Sequence, residues 1–312
     1  MTRTSANDVL LLAMPGNEQL GQALASHLAW ICRPVTVHRF PDDESLVTIP
    51  DDVQGKQVVL LSSLDQPDDK LLALLFAADA ARELGAVRVG LVAPYLAYMR
   101  QDTRFHPGEA ISSRSFARIL SAHFDFLVTV DPHLHRYKTL DAIYTIPTAV
   151  VAAAPAVADW IAGHVSRPLL IGPDSESAQW IEATAARIGA PYTVLEKTRR
   201  GDRDVSVTLP SVAHWSDRTP VLLDDIVSSA ATMIEAVGRV REAGLPAPIC
   251  IAVHPVFAGH ALSRLEAAVP AGIVSCNTIA HATNGIDLSR ALAEQLRLLF
   301  GRAATEQDIA HG

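Results

Sequence analysis

A chain of 312 residues, 49% apolar and 19% charged, belongs with compact globular proteins, and its length suggests two domains of about 150 residues each. Its formal net charge of -8 argues against nucleic acid or an anionic membrane as main partner, because both need a basic surface. Small phosphates stay open, since a few Arg and Lys side chains focused in a cleft can hold a nucleotide together with a divalent metal. Cys32, Cys250 and Cys276 are too few and too scattered for a disulfide framework or a zinc site.

The apolar run that follows Asp8 is cut by Pro15 and Gly16 too soon for a secretory signal. No apolar stretch reaches the roughly 20 residues of a membrane-spanning helix. A cytoplasmic, reducing compartment is the expectation. Short β-branched or leucine-rich runs predict strands over 8–14, 57–62, 87–93 and 124–130, with helices over 68–84 and 112–122. After Pro147 the pattern restarts with an alanine-rich helix to about Gly163, a strand over 168–172, a helix over 176–188 and a strand over 192–195. A strand over 220–223, a helix over 231–243 and a strand over 248–253 complete it. Such alternation implies crossover connections and mostly parallel sheets flanked by helices, the doubly wound α/β class. It divides into halves 1–150 and 151–302, with 303–312 a frayed tail. The charged segment Lys197 to Asp204 is the best candidate for a mobile loop.

Ligands of open parallel sheets bind beyond the carboxyl ends of the strands, so polar residues that follow apolar runs come first. In Val221-Leu222-Leu223-Asp224-Asp225-Ile226-Val227-Ser228-Ser229-Ala230-Ala231-Thr232 a strand runs into two carboxylates, a turn of small residues and a helix. Backbone N–H groups at such a turn suit a phosphate, and the acids suit ribose hydroxyls. An ordinary strand-to-helix connection with a Ser or Thr cap fits the local pattern as well. Ala93 to Asp102 ends in Arg100-Gln101-Asp102, where a guanidinium can serve phosphate oxygens or form a surface salt bridge. Asp131-Pro132-His133 offers a carboxylate and an imidazole, with His135 a weaker candidate. Asp174, after Ile171-Gly172-Pro173, can hold magnesium or cap the next helix. Glu196-Lys197-Thr198-Arg199-Arg200 gathers cations able to stabilise a transferring phosphoryl group, or forms a solvated charge run.

In order and spacing these stretches, with Arg39-Phe40-Pro41-Asp42-Asp43-Glu44 and Ala110-Ile111-Ser112, resemble ribose-phosphate pyrophosphokinase over almost the whole chain. The resemblance implies two phosphoribosyltransferase-like domains, with ATP held between them and completed by a neighbouring subunit. Dimer-based homo-oligomers, commonly hexamers, are implied too. It implies that Phe40 stacks on adenine, that Asp42 and Glu44 contact the base, and that Arg100, Gln101 and Asp102 add to the nucleotide site. His133 and Asp174 would serve Mg2+, with His133 also able to contact ATP phosphates. Asp224 and Asp225 would bind the ribose hydroxyls, and Ser228, Ser229, Ala230, Ala231 and Thr232 the 5-phosphate. Lys197 and Arg199 would be catalytic. The implied reaction moves pyrophosphate from ATP to ribose 5-phosphate.

Three departures fall at these sites: Ser229-Ala230-Ala231 where the family has at least one glycine, Ser175-Glu176-Ser177 in place of small residues and glycines, and Asp43 in place of glycine or an amide. They keep in play a non-catalytic subunit associated with such a synthase. A phosphoribosyltransferase, which shares the phosphate loop, is the third reading; the tandem domains and the Arg-Gln-Asp segment favour the synthase.

Overall fold

The run Val9-Leu10-Leu11-Leu12-Ala13 is buried along its whole length, which is what a strand inside a parallel sheet covered on both faces requires. The computed structural model describes residues 8–50, 52–174, 177–200, 204–208 and 213–310. In chain order the first unit contains β1 (Val9–Ala13), α1 (Glu18–Leu28), β2 (Ile31–Pro34), β3 (Thr36–Arg39), β4 (Ser45–Thr48) and β5 (Gln57–Leu61). It continues with α2 (Pro67–Glu83), β6 (Arg88–Ala93), α3 (Ser112–His123), β7 (Leu127–Val130) and β8 (Thr148–Val151). Six strands form one parallel sheet in the order β2-β1-β5-β6-β7-β8, while β3 and β4 pair as an antiparallel hairpin. Leu10, Leu12, Val58, Leu60 and Leu91 share one core with Leu74 and Ala77 of α2 and Phe116 and Leu120 of α3.

The second unit contains α4 (Ala154–His164), β9 (Pro168–Gly172), α5 (Ala178–Ile188), β10 (Tyr192–Val194), β11 (Glu196–Arg200) and β12 (Asp204–Thr208). Then come β13 (Thr219–Ile226), α6 (Ala231–Glu242), β14 (Ile249–His254), α7 (Ala261–Ala267), β15 (Gly272–Cys276) and β16 (Asn284–Ile286). Its sheet is again six parallel strands, ordered β10-β9-β13-β14-β15-β16. The two orders are the same succession: first strand, second strand on one side, the rest on the other. No residue-level repeat announces this in the sequence.

Three expectations are corrected. The stretch after Pro147 is first an edge strand, β8, because Thr148, Val150 and Val151 are β-branched and favour the pleated conformation; the helix begins only at Ala154. Residues 289–302, with 303–310 continuing them, do not join the second half. They form one helix, α8 (Ser289–Ala310), belonging to the first unit, which comprises Met1–Val151 and Ser289–Gly312 against Ala152–Leu288 for the second. Its apolar stripe Leu292, Ala293, Leu296 and Phe300 recurs at helical spacing and is buried. The ring of Phe300 meets Trp30 at 5.0 Å and Phe126 at 5.8 Å. Finally, the expected loop from Lys197 is largely a hairpin, with β11 and β12 antiparallel and Lys197 opposite Val207. Its residues 201–203 lie outside those described.

Tyr144 is 3% exposed, and its hydroxyl has no hydrogen-bond partner among the described residues. Burial pushes its pKa up. A buried, unpaired hydroxyl costs about 1–3 kcal/mol. Tyr144→Phe is therefore expected to stabilise the first unit by about 1 kcal/mol in chemical denaturation.

Candidate active site

In the second sheet the strand order reverses between β9 and β13, and the crevice of such a fold opens there. Asp174 follows β9, and Asp224 and Asp225 stand near the end of β13. Asp224 is half-buried, yet dense packing around its carboxyl raises its pKa well above the usual value, with repulsion from Asp225 and Asp174 adding to the shift. Three carboxylates thus act on one another at the switch point. The N–H of Asp225 donates to Asp224 Oδ1 at 3.0 Å, and that of Ile226 to Asp225 Oδ1 at 2.7 Å, which fixes both side chains against the turn. Asp174 also has the cap-like contact its position allows, with Ser177 N 3.4 Å from Oδ1, and Ser177 Oγ donates to its carbonyl at 2.6 Å. Gly172 makes this possible, because a Cβ there would collide with Ser177 Oγ. Ser175 and Glu176 lie outside the described residues, as do the side chains of Lys197 and Arg199.

The loop after the acids contains the departure from glycine. Ala230 takes the left-handed conformation, φ 60°, immediately before α6, and its methyl is buried in the core beside Met233 and Val237. Ala231 is the first helical residue and is exposed. Alanine therefore adopts the bend that glycine gives freely, at a cost of about 1 kcal/mol, and turns its methyl inward. Ser228 is half-buried and Ser229 exposed, with Ser229 Oγ 3.5 Å from Ala231 N.

At the corresponding switch point of the first sheet, between β1 and β5, a buried asparagine links the segments that follow the two strands. Asn17 Nδ2 donates to the carbonyls of Met14 and Pro15, at 3.3 and 3.2 Å, and its Oδ1 accepts from Ser63 N at 2.9 Å. Elsewhere in this unit two of the candidate segments meet the first turn of α2. Arg39 in β3 donates to the carbonyl of Asp69 at 3.2 Å, and the Tyr98 hydroxyl makes a short bond to Asp68 that pushes its pKa up to about 12. The Phe40–Glu44 hairpin tip and the segment before Arg100 are thereby tied to one helix end. Neither Arg39, Tyr98 nor the two acids was singled out for this from sequence.

At the hairpin tip Phe40, Asp42 and Glu44 are exposed, with Phe40 edge-on to His38 at 4.7 Å. Asp43 has φ 67°, a conformation that favours glycine and asparagine and that aspartate tolerates, so this departure is accommodated by the turn. Arg100 and Gln101 are exposed, but Asp102 is 4% exposed and points inward. Its carboxylate accepts from Arg136 Nη1 at 2.7 Å and Arg136 N at 3.1 Å. Asp102 thus holds the loop that carries His133. His133 lies in this unit and Asp174 in the other.

Among the described residues no group of three or more His, Cys, Asp or Glu is placed to hold a metal by itself. Mg2+ asks for less, since it is bound through one or two carboxylates with water and phosphate oxygens. The repelling acids Asp174, Asp224 and Asp225 have the donor chemistry that suits it.

Residues 9–123 match the N-terminal domain of ribose phosphate pyrophosphokinase, and residues 140–290 the phosphoribosyl transferase domain. A ribose-phosphate pyrophosphokinase from Methanopyrus kandleri is 33% identical over 295 residues, 94% of this chain and 100% of that one. The chain belongs to the ribose-phosphate pyrophosphokinase family. The enzyme of that name from Halobacterium salinarum is likewise 33% identical, over 92% of this chain and all of its own length. The crystal structure of phosphoribosylpyrophosphate synthetase from Mycobacterium smegmatis, at 24% identity, has the same fold, with a TM-score of 0.82 over 95% of this chain and 100% of that one. The family's enzyme class is thus joined here to a fold with two parallel sheets, of which the second has an acidic switch point.

Proposed function

We propose that the chain transfers pyrophosphate from Mg-ATP to ribose 5-phosphate, giving phosphoribosyl pyrophosphate and AMP. The observation that carries this is the set of three acids at the second switch point, opening onto a bent small-residue loop and the start of α6. Asp224 and Asp225 bind the ribose hydroxyls, and residues Ser228 to Thr232 receive the 5-phosphate on backbone N–H groups. Phe40, Asp42 and Glu44 take the adenine, while Arg100, Gln101 and His133 contact the nucleotide and its phosphates. Asp102 positions rather than touches.

The anomeric hydroxyl oxygen attacks the β-phosphorus, the bond from that phosphorus to the α-phosphate oxygen breaks, AMP leaves, and the hydroxyl proton is released. Magnesium, when bound, neutralises phosphate charge, and Asp174 is the residue to hold it. Lys197 and Arg199 stabilise charge on the transferring group, and orientation supplies much of the rest. Ala230 keeps the loop bent as glycine would, which removes the main support for a non-catalytic subunit.

Purified protein given Mg-ATP and ribose 5-phosphate is expected to form AMP and phosphoribosyl pyrophosphate in equal amounts. A folded, ATP-binding protein that forms neither sinks the proposal, and consumption of phosphoribosyl pyrophosphate with a base would make it a phosphoribosyltransferase. In Lys197→Ala, kcat should fall about 100-fold, as for loss of one transition-state donor, with ATP affinity much less affected. Equal losses in both would undo the role given to Lys197.

A further inference from the structure

The ladder between β14 and β15 has its last pair at Ala252 and Ser275. The next carbonyl, that of Val253, takes its hydrogen bond from a side chain, Thr278 Oγ1, at 2.7 Å. A hydroxyl has one proton to give. With that proton directed at Val253, Thr278 Oγ1 accepts from the ring of His254, whose Nδ1 lies 3.0 Å away and so carries hydrogen. Both residues are 1% exposed, so neither touches a substrate.

On its other edge the same histidine is the last partner of β13, opposite Ile226. Its carbonyl accepts from Val227 N at 3.1 Å, Phe257 N donates to the Val227 carbonyl at 2.9 Å, and Ala258 N to the Ser228 carbonyl at 3.0 Å. Three backbone bonds therefore hold the start of the small-residue loop against residues 254–258. The histidine from which they spread is locked by Thr278.

We infer that His254 and Thr278 are positioning residues for the 226–230 loop, setting where its backbone N–H groups and the neighbouring acids stand. The inference rests on the assignment of that loop to the 5-phosphate. A buried polar pair is a stiff anchor because breaking it leaves both partners unsatisfied away from water. Thr278→Val keeps the shape but removes the hydroxyl that bonds both His254 Nδ1 and the Val253 carbonyl. The end of β14 must then shift, and with it Val227, Ser228 and, through the pair Asp224 with Ala252, the acids.

The test is steady-state kinetics of Thr278→Val and Thr278→Ser, with thermal unfolding of each. In Thr278→Val the KM for ribose 5-phosphate is expected to rise about tenfold, with the KM for ATP unchanged and kcat within about threefold; Thr278→Ser, which retains the hydroxyl, should restore it. A purely structural pair would lower the melting temperature and the active fraction and leave KM alone, and that result overturns the inference. Hydrogen exchange on the wild-type chain needs no folded variant: the amides of Val227, Phe257 and Ala258 should exchange slowly as one group with those of β14, and fast exchange overturns the anchor. Wild-type protein that neither turns over nor binds ribose 5-phosphate overturns the loop assignment, and this inference with it. An active wild type with an unchanged Thr278→Val KM overturns the inference alone.

Discussion

Gly90→Ala is expected to cost the first unit about 3 kcal/mol or more, the upper end of what overpacking a core does. Gly90 sits in mid-strand on β6, and a Cβ there would fall among Cζ, Cε1 and Cε2 of Phe126, closer than real Cβ atoms approach one another. Phe126 is fully buried and cannot step aside. The guanidinium of Arg88 lies 4.6 Å from its centroid on one side, and Phe300 of α8 meets it edge-on. Adding one methyl must therefore move β6, β7 or the docked C-terminal helix. A melting temperature lower by about 10 °C is the expected reading, at the usual few degrees per kcal/mol for a unit of this size. Phe126→Leu in the same chain should recover part of the loss, because it vacates the space. A Gly90→Ala protein as stable as the wild type would mean that α8 does not pack as described.

The second large effect comes from the acids. Asp224→Asn combined with Asp225→Asn should lower kcat/KM for ribose 5-phosphate about 1,000-fold, since a hydrogen bond to a charged group is worth about 1.5–3 kcal/mol and two are lost. The same change should stabilise the unliganded protein at neutral pH. Burial and the neighbouring carboxylates raise the pKa of Asp224 in the folded state. The folded chain therefore holds this proton more tightly than the unfolded chain. That contribution is fully present below the ordinary aspartate value of about 3.9 and is lost as pH rises through the raised value. The amide variant has no such loss, so its advantage in melting temperature should grow from about pH 4 upward and then level off. If the variant gains nothing with pH, the repulsion among the acids is not a cost that ligand binding relieves.

Much of this was legible in the sequence because it depends on local order. Continuous apolar runs such as Val221-Leu222-Leu223 mark strands buried on both faces, and acids directly after them mark the ends where ligands bind. The strand–acid–small-residue–helix pattern and the cations after Leu195 needed no coordinates to be singled out. The short edge strands β2, β8 and β16 escaped notice because half-exposed runs of three or four residues have little periodicity to show. The hairpin from Lys197 read as a loop because four of the five residues of its first strand are charged.

Other features were settled by distances that no motif encodes. Asp102 looks like its neighbours Arg100 and Gln101 in sequence, yet it faces Arg136, 34 residues away along the chain. Asn17 stands in an ordinary Pro-Gly-Asn turn, and only its bond to Ser63 shows that it joins the segments after β1 and β5. The C-terminal helix returns to the first unit because its stripe finds Trp30 and Phe126 there, a match of shapes between remote segments. By itself the sequence determined the α/β class, the family and the chemical types at the strand ends, since these follow from residue kind and spacing along the chain. The tertiary structure alone decided which of those polar side chains point into a crevice and which hold it in place, because that choice depends on partners the fold brings together from far apart.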